Sequence, residues 1–429
     1  MSHFSTPKFC NNRQNTLSPT AFQSGPIFAL LIGLIYVFDQ RLNALVSANI
    51  LGSLLYVSFA LAFSFYRISS VNLFNIKTLA ILCLLSLYSL LSYSLNTSCS
   101  IQYKGAFSLL LLWLVVPTLR ISSLAVILMS HVTSMMMLLL IITFIVLDYA
   151  RLPVFLDVMN AGVFNEASHV AIYVLPLLSY RILKSYKDPL ASAVLVIILV
   201  CSPSTTLIVG MLFLFSVSYL KSRIHKPILS LFFVVIIIGT FLFVVMSGII
   251  AMPDTQRRIE NLFTGHQATQ ATAVNMSSLV WLNGWSQAFQ SLTGTNGFGL
   301  GFNQMGCGMY SEVGIYTPLI QEAWSGDMLN SEDGSLLAAK LIAEFGFLGI
   351  VIVAIFTWQS VTVLFKFIRS HAVNRNSESQ FSLMRATGAI SLLVYLFVRS
   401  GPYFQLPVIL AISLLLFSKN NLRDNNDPR

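Results

Sequence analysis

Charge is scarce in this 429-residue chain, with 10% of its residues charged against 56% hydrophobic. So few polar groups cannot cover a soluble domain of this size, which excludes that class. Cysteine is sparse too. Cys10, Cys83, Cys99, Cys201 and Cys307 make no Cys-x-x-Cys pair, and their spacing does not make a metal cluster. There is no P-loop, no Gly-x-Ser-x-Gly elbow, no His-Glu-x-x-His and no repeat relating the two halves. Residues 1–20 lack the apolar core of a signal peptide, so the first hydrophobic run is expected to remain as an uncleaved span. The net charge of +9 comes from Lys and Arg in short loops between apolar runs. There it sets membrane orientation and is not a nucleic-acid footprint.

What is abundant is apolar length: 32 Phe and a mean hydropathy of +0.77 mark a polytopic membrane protein. A helix needs about 20 residues to cross the hydrocarbon. The sequence predicts spans near 21–38, 43–65, 77–95, 103–119, 123–147, 168–183, 228–248, 340–365, 382–398 and 403–418. The stretch 190–220 is too long for one span, and it carries Cys201-Ser202-Pro203-Ser204-Thr205-Thr206 at its middle. Read as a hairpin of two short helices, it gives about twelve spans with both termini cytoplasmic. That topology puts 18 of the 25 basic residues inside; a single crossing would leave 12 inside and 13 outside. The positive-inside rule selects the hairpin. The expected organisation is helices 1–9 over 1–247, a large outward loop over 248–338, and helices 10–12 with a cytoplasmic tail over 339–429. Acids and bases at membrane depth are few (His131, His169 and Glu344), which counts against an ion-coupled transporter. Cys99 and Cys307 fall in outward loops, where a disulfide can survive, although two unrelated free thiols is the simpler reading.

Three outward patches are candidate sites. At Phe164-Asn165-Glu166-Ala167-Ser168-His169, the carboxylate of Glu166 and the imidazole of His169 share a helix face, as a general base requires; helix capping is the plainer alternative. Arg257-Arg258 are the two basic residues in a loop with seven acids. They suit bidentate binding of a pyrophosphate, or simply contact lipid headgroups. The stretch Gly294–Asn303 fits no nucleotide motif but suits a tight turn that lets backbone approach another segment.

The order of these features resembles the O-antigen polymerase and O-antigen ligase superfamily of envelope-polysaccharide enzymes. The resemblance covers about residues 160–360. It rests on Phe164–His169, Ser202–Thr206, Arg257–Leu262, Trp281–Ser291, Gly297–Gly301, and Asp333-Gly334-Ser335 leading to Glu344-Phe345-Gly346-Phe347-Leu348-Gly349. Ligases of the superfamily carry a His-Asn pair where the large loop enters the next span; this chain has Ser331-Glu332-Asp333-Gly334, which favours polymerase.

The resemblance implies a GT-C-like, all-α glycosyltransferase in the bacterial cytoplasmic membrane. It would join undecaprenyl-pyrophosphate-linked repeat units on the outer face, with a chain-length regulator protein as a further partner. Arg257 and Arg258 would stabilise the departing pyrophosphate, Glu166, His169 or Asp333 would take the acceptor proton, and Arg151, Trp281, Trp285, Asn303 and Arg399 would bind substrate. The absence of a nucleotide motif fits a compartment without ATP, and the chemistry calls for no metal or other cofactor. Transfer of finished glycan to lipid A core by a ligase, and a lipid-linked oligosaccharide flippase, are the alternatives.

Overall fold

A computed structural model describes residues 31, 33–39, 54, 58, 76–96, 103–119, 129, 131–149, 167–185, 188–202, 204–223, 276–307, 316–323, 334–373 and 380–416. Every described element is a helix: α1 Ile76–Leu95, α2 Tyr103–Thr118, α3 His131–Tyr149, α4 Ala167–Lys184, α5 Pro189–Cys201, α6 Thr205–Arg223, α7 Met276–Gly294, α8 Thr317–Ala323, α9 Leu337–Val373, α10 Gln380–Phe397 and α11 Leu406–Leu415. Residues 33–39 add a further helical stretch. α1, α9 and α10 are long and apolar enough to cross a membrane. The expected spans 43–65 and 228–248 lie outside the described residues, apart from isolated positions in the first. The helix expected over 123–147 begins at His131, and that expected over 403–418 shortens to α11.

The 190–220 stretch breaks where its polar residues stand, at Ser202–Ser204, into α5 and α6. Their direction follows from depth. Gly210, early in α6, is packed against Leu175 in the middle of α4, while Lys221 near the end of α6 lies 4.0 Å over the ring of Phe367, late in α9. α6 therefore runs parallel to α4 and α9, and α5 must return between α4 and α6. With 13 residues at about 1.5 Å each, α5 covers only about 20 Å. It leans on α3 and α4, and α6 packs on α4, α9 and α10. The α4–α5 corner is fastened by Asp188, which caps α5 through the amides of Leu190 and Ala191 and pairs with Arg181 at 2.7 Å.

α4 lies at the centre of the bundle and is buried almost throughout from Val170 to Leu183. Pro176 inside it cannot donate to the Ile172 carbonyl four residues back. The Tyr395 hydroxyl of α10 donates to that oxygen instead, at 2.6 Å. One residue on, Tyr36 donates to the Tyr173 carbonyl at 2.9 Å. In an apolar interior such repairs are obligatory, because water cannot make them.

The described cations separate along the bundle. Lys77, Arg181, Lys184, Lys221, Lys366, Arg369 and Arg385 stand towards one end. Lys340 and Arg399 stand at the other, and both are buried.

Candidate functional site

The end opposite the basic residues is built around a broken helix. α9 is interrupted at Gly346, whose φ of 56° and ψ of −129° no side-chain-bearing residue adopts without strain. The interruption frees backbone groups that the turn after α7 takes up. Leu300 and Gly301 donate to the carbonyls of Ala343 and Glu344, each at 2.9 Å, and Phe347 donates to the Gly297 carbonyl at 2.9 Å. A Cβ on Gly346 would stand 1.9 Å from the Gly297 carbonyl oxygen. Gly349 has a different task, since a Cβ there would meet the Leu341 carbonyl oxygen at 2.0 Å. The spacing of Glu344, Gly346 and Gly349 is thus a description of a kink and its docking partner. The tight turn read at Gly294–Asn303 is present, with left-handed backbone at Asn296, Gly297, Gly299, Gly301 and Asn303.

Glu344 sits under this turn with no exposed surface. Its carboxylate accepts from the Asn303 amide at 2.8 Å and the Met305 amide at 3.3 Å, and it pairs with Lys340 at 3.1 Å. The Lys340 ammonium also lies 5.1 Å over the ring of Tyr403. Around the pair, Tyr93 donates to the Phe302 carbonyl at 2.5 Å, Tyr88 to Phe345 at 3.0 Å and Ser92 to Phe298 at 3.1 Å. Two consecutive turns of α1 thereby read the backbone of the kink and of the loop. Lys340 and Glu344 escaped selection as site residues by sequence. Their spacing of four was the available signal, since such residues face each other on a helix.

A second buried carboxylate was missed altogether. Asp39, completely buried, accepts from Tyr173 Oη at 2.7 Å and from the Leu406 amide at 3.0 Å. It therefore caps α11 at the helix's positive end. Gln405 donates to the same tyrosine hydroxyl at 3.2 Å.

Of the residues selected by sequence, Trp281, Trp285, Asn303 and Arg399 gather at this end. Trp281 and Trp285 meet edge-on with centroids 6.1 Å apart, and Trp285 stacks on exposed Phe289 at 6.2 Å. Trp281 Nε1 donates to the Phe397 carbonyl at 3.0 Å, which ties α7 to the end of α10. Asn303 is partly exposed, and its Nδ2 donates to Ser108 Oγ at 2.9 Å. Arg399 is buried where α10 ends, beside Ser400, whose amide donates to the Ser335 carbonyl at 2.9 Å. His169 is half-buried in the first turn of α4 and has an interaction partner. Glu166, Arg151, Arg257, Arg258 and Asp333 lie outside the described residues. Among the described residues no three His, Cys, Asp or Glu side chains come together as metal ligands.

The thiol reading changes. Cys307, buried just beyond Met305, is disulfide-bonded, so the simpler expectation of free thiols at Cys99 and Cys307 fails for Cys307. Cys83 and Cys201 are free, and Cys10 and Cys99 lie outside the described residues. Cys99 lies in the link between α1 and α2, and both flanks of that link touch the loop: Tyr93 at Phe302, and Gly105 at Gln304. No protein-family model, curated protein or solved structure matches the chain.

Proposed function

We propose that the chain is a membrane glycosyltransferase that polymerises polyprenyl-pyrophosphate-linked repeat units into an O-antigen or capsule-type polysaccharide. The observation that carries the reading is that, among the described residues, one end of the bundle is both poor in exposed cations and fastened by a disulfide, while the other collects the basic residues. Cations mark the cytoplasmic side, and disulfides persist on the oxidising side. Both criteria support the reading that the broken helix, the Gly turn and the Trp face of α7 look outward, where a lipid-linked donor would meet its acceptor. A lipid-pyrophosphate donor brings its own leaving group, so the chemistry asks for cations at the pyrophosphate and a base at the acceptor hydroxyl. Arg257 and Arg258 are assigned the first role, with Glu166, His169 or Asp333 for the second.

A discontinuous helix also occurs in transporters, where the freed backbone binds ions. Here the freed carbonyls of Ala343 and Glu344 are taken by the turn, which removes that use. A glycan profile of a deletion strain tests the reading. Lipid A core bearing a single repeat unit is the polymerase outcome. Bare core with polymer left on the carrier lipid means ligase, and bare core without polymer means flippase. Arg257→Ala or Arg258→Ala is expected to lower polymerisation about 10²–10³-fold at normal expression. Arg→Lys is expected to be impaired too, since it loses the bidentate fork. Normal chain lengths in both Ala variants would remove the arginines from the site.

A further inference from the structure

The loop Phe302–Met305 is held by a buried carboxylate, and the pattern of bonds points to a purpose. Glu344 grips the amides on either side of Gln304 and is itself neutralised by Lys340. A buried ion pair is poor evidence of a stability role, because apolar replacements are often neutral or better. What this pair does is aim a short stretch of chain. Asn303 is held at a left-handed φ of 56°, with its Nδ2 committed to Ser108 and its side chain partly exposed.

Beside it, Gln304 is 2% exposed, with its Nε2 against the Tyr93 hydroxyl and its Oε1 without a hydrogen-bond partner. Its Nε2 sits 2.6 Å from where a Cβ on Gly105 would stand, with Tyr93 Oη at 2.8 Å from the same point. The Tyr403 hydroxyl is buried beside the Glu344 carboxylate, on a ring stacked 5.1 Å from Phe302. Buried groups with unmade bonds call for a ligand or an ordered water. These are neutral amides and phenols, offering donors and acceptors together, and the nearby ammonium is already paired. Such a set matches hydroxyl groups; a phosphate would seek unpaired cations.

We propose that the Asn303–Gln304 loop, with Tyr403, is a subsite for saccharide hydroxyls, and that Glu344, paired with Lys340, is the positioning residue that aims it. This rests on the polymerase reading and adds where the sugar is held. A carboxamide in place of Glu344 has one acceptor oxygen, and its NH₂ faces a donor, so it cannot grip both loop amides.

The test uses hydrogen exchange on the full-length protein in detergent, together with glycan profiles of a deletion strain complemented by each variant. In Glu344→Gln, exchange over residues 297–307 is expected to quicken at least about tenfold, a loss of about 1.4 kcal/mol in local protection, while α10 and α11 keep theirs and polymer shortens or disappears. Lys340→Arg keeps the charge opposite Glu344, and its loop exchange is expected to stay slower than that of Glu344→Gln. Asn303→Ala is expected to lose polymer with loop exchange unchanged, which a purely structural role would not produce.

Unchanged exchange in Glu344→Gln overturns the proposal. So does wild-type polymer from a loosened loop when the deletion strain makes none. If Glu344→Gln does not accumulate, the Lys340→Met/Glu344→Gln pair, which buries no unpaired charge, is read by the same criteria; its failure to accumulate would make the pair a folding requirement and overturn the positioning role. A deletion strain with unaltered glycans defeats the polymerase reading and the saccharide assignment together, whereas the exchange result still reports separately on the Glu344 brace.

Discussion

Replacing Gly346 by Ala attacks the element on which the end of the bundle bearing Glu344 and the Gly turn is assembled. The backbone there has a φ of 56° and ψ of −129°, and the added methyl would stand 1.9 Å from the Gly297 carbonyl oxygen and 2.8 Å from the Gly299 nitrogen. Both neighbours are backbone, so neither can swing aside. Strain of this kind costs about 1–3 kcal/mol. Relieving it means releasing the turn, which forfeits the bonds from Leu300, Gly301 and Phe347 at about 1 kcal/mol each. The two costs are alternatives, so the loss is about 3 kcal/mol, about 10²-fold in an equilibrium constant. Alanine also favours continuing the helix through the break. Hydrogen exchange on the purified protein is expected to show protection lost at Leu300, Gly301 and Phe347, with a lowered melting temperature in detergent. Gly210→Ala is the control, because its Cβ would meet only the mobile end of the Leu175 side chain at 2.7 Å. If Gly346→Ala melts with the wild type and keeps those amides protected, the account of the broken helix is wrong.

The partner of Cys307 is expected to be Cys99: in a mass-tag assay both should be blocked until reductant is added, and labelling of Cys99 in untreated membranes would refute the pairing. Cys307→Ser is expected to cost about 2–4 kcal/mol of stability, measured as a lowered melting temperature that reductant reproduces in the wild type. A reporter enzyme active only outside the cytoplasm should work when fused after Ser311 and be silent after Arg375; the reverse would invert the orientation of the whole site. Asp39→Ala removes the cap of α11 and strands the Tyr173 hydroxyl, so about 2–4 kcal/mol should be lost, while Asp39→Asn keeps an acceptor oxygen and should lose less. Equal melting of the two variants would show that this network does not hold α11.

Helical membrane character was determined by the sequence alone, because apolar run length is a local property and the bilayer sets the length required. The break at Ser202–Ser204 was legible for a related reason, since polar residues and a proline interrupted a run too long for one crossing. Trp281 and Trp285 sharing a face followed from helix periodicity. The importance of Gly297–Gly301 could be read as a close backbone approach, but its partner could not. That partner, the kink at Gly346, is about 45 residues further on, and nothing local in Glu344-Phe345-Gly346 distinguishes a kink from a continuous span.

The buried pairs were decided only by tertiary structure. Lys340 stands first in the span expected over 340–365, where hydropathy counts its charge without its partner, and Asp39 stands just past the span expected over 21–38, while the helix it caps begins at Leu406, more than 360 residues away in the chain. Whether a charged group belongs in an interior depends on what meets it there. In this protein the donors that make burial of Glu344 and Asp39 tolerable come from a loop, a tyrosine and a helix end that only the fold brings together.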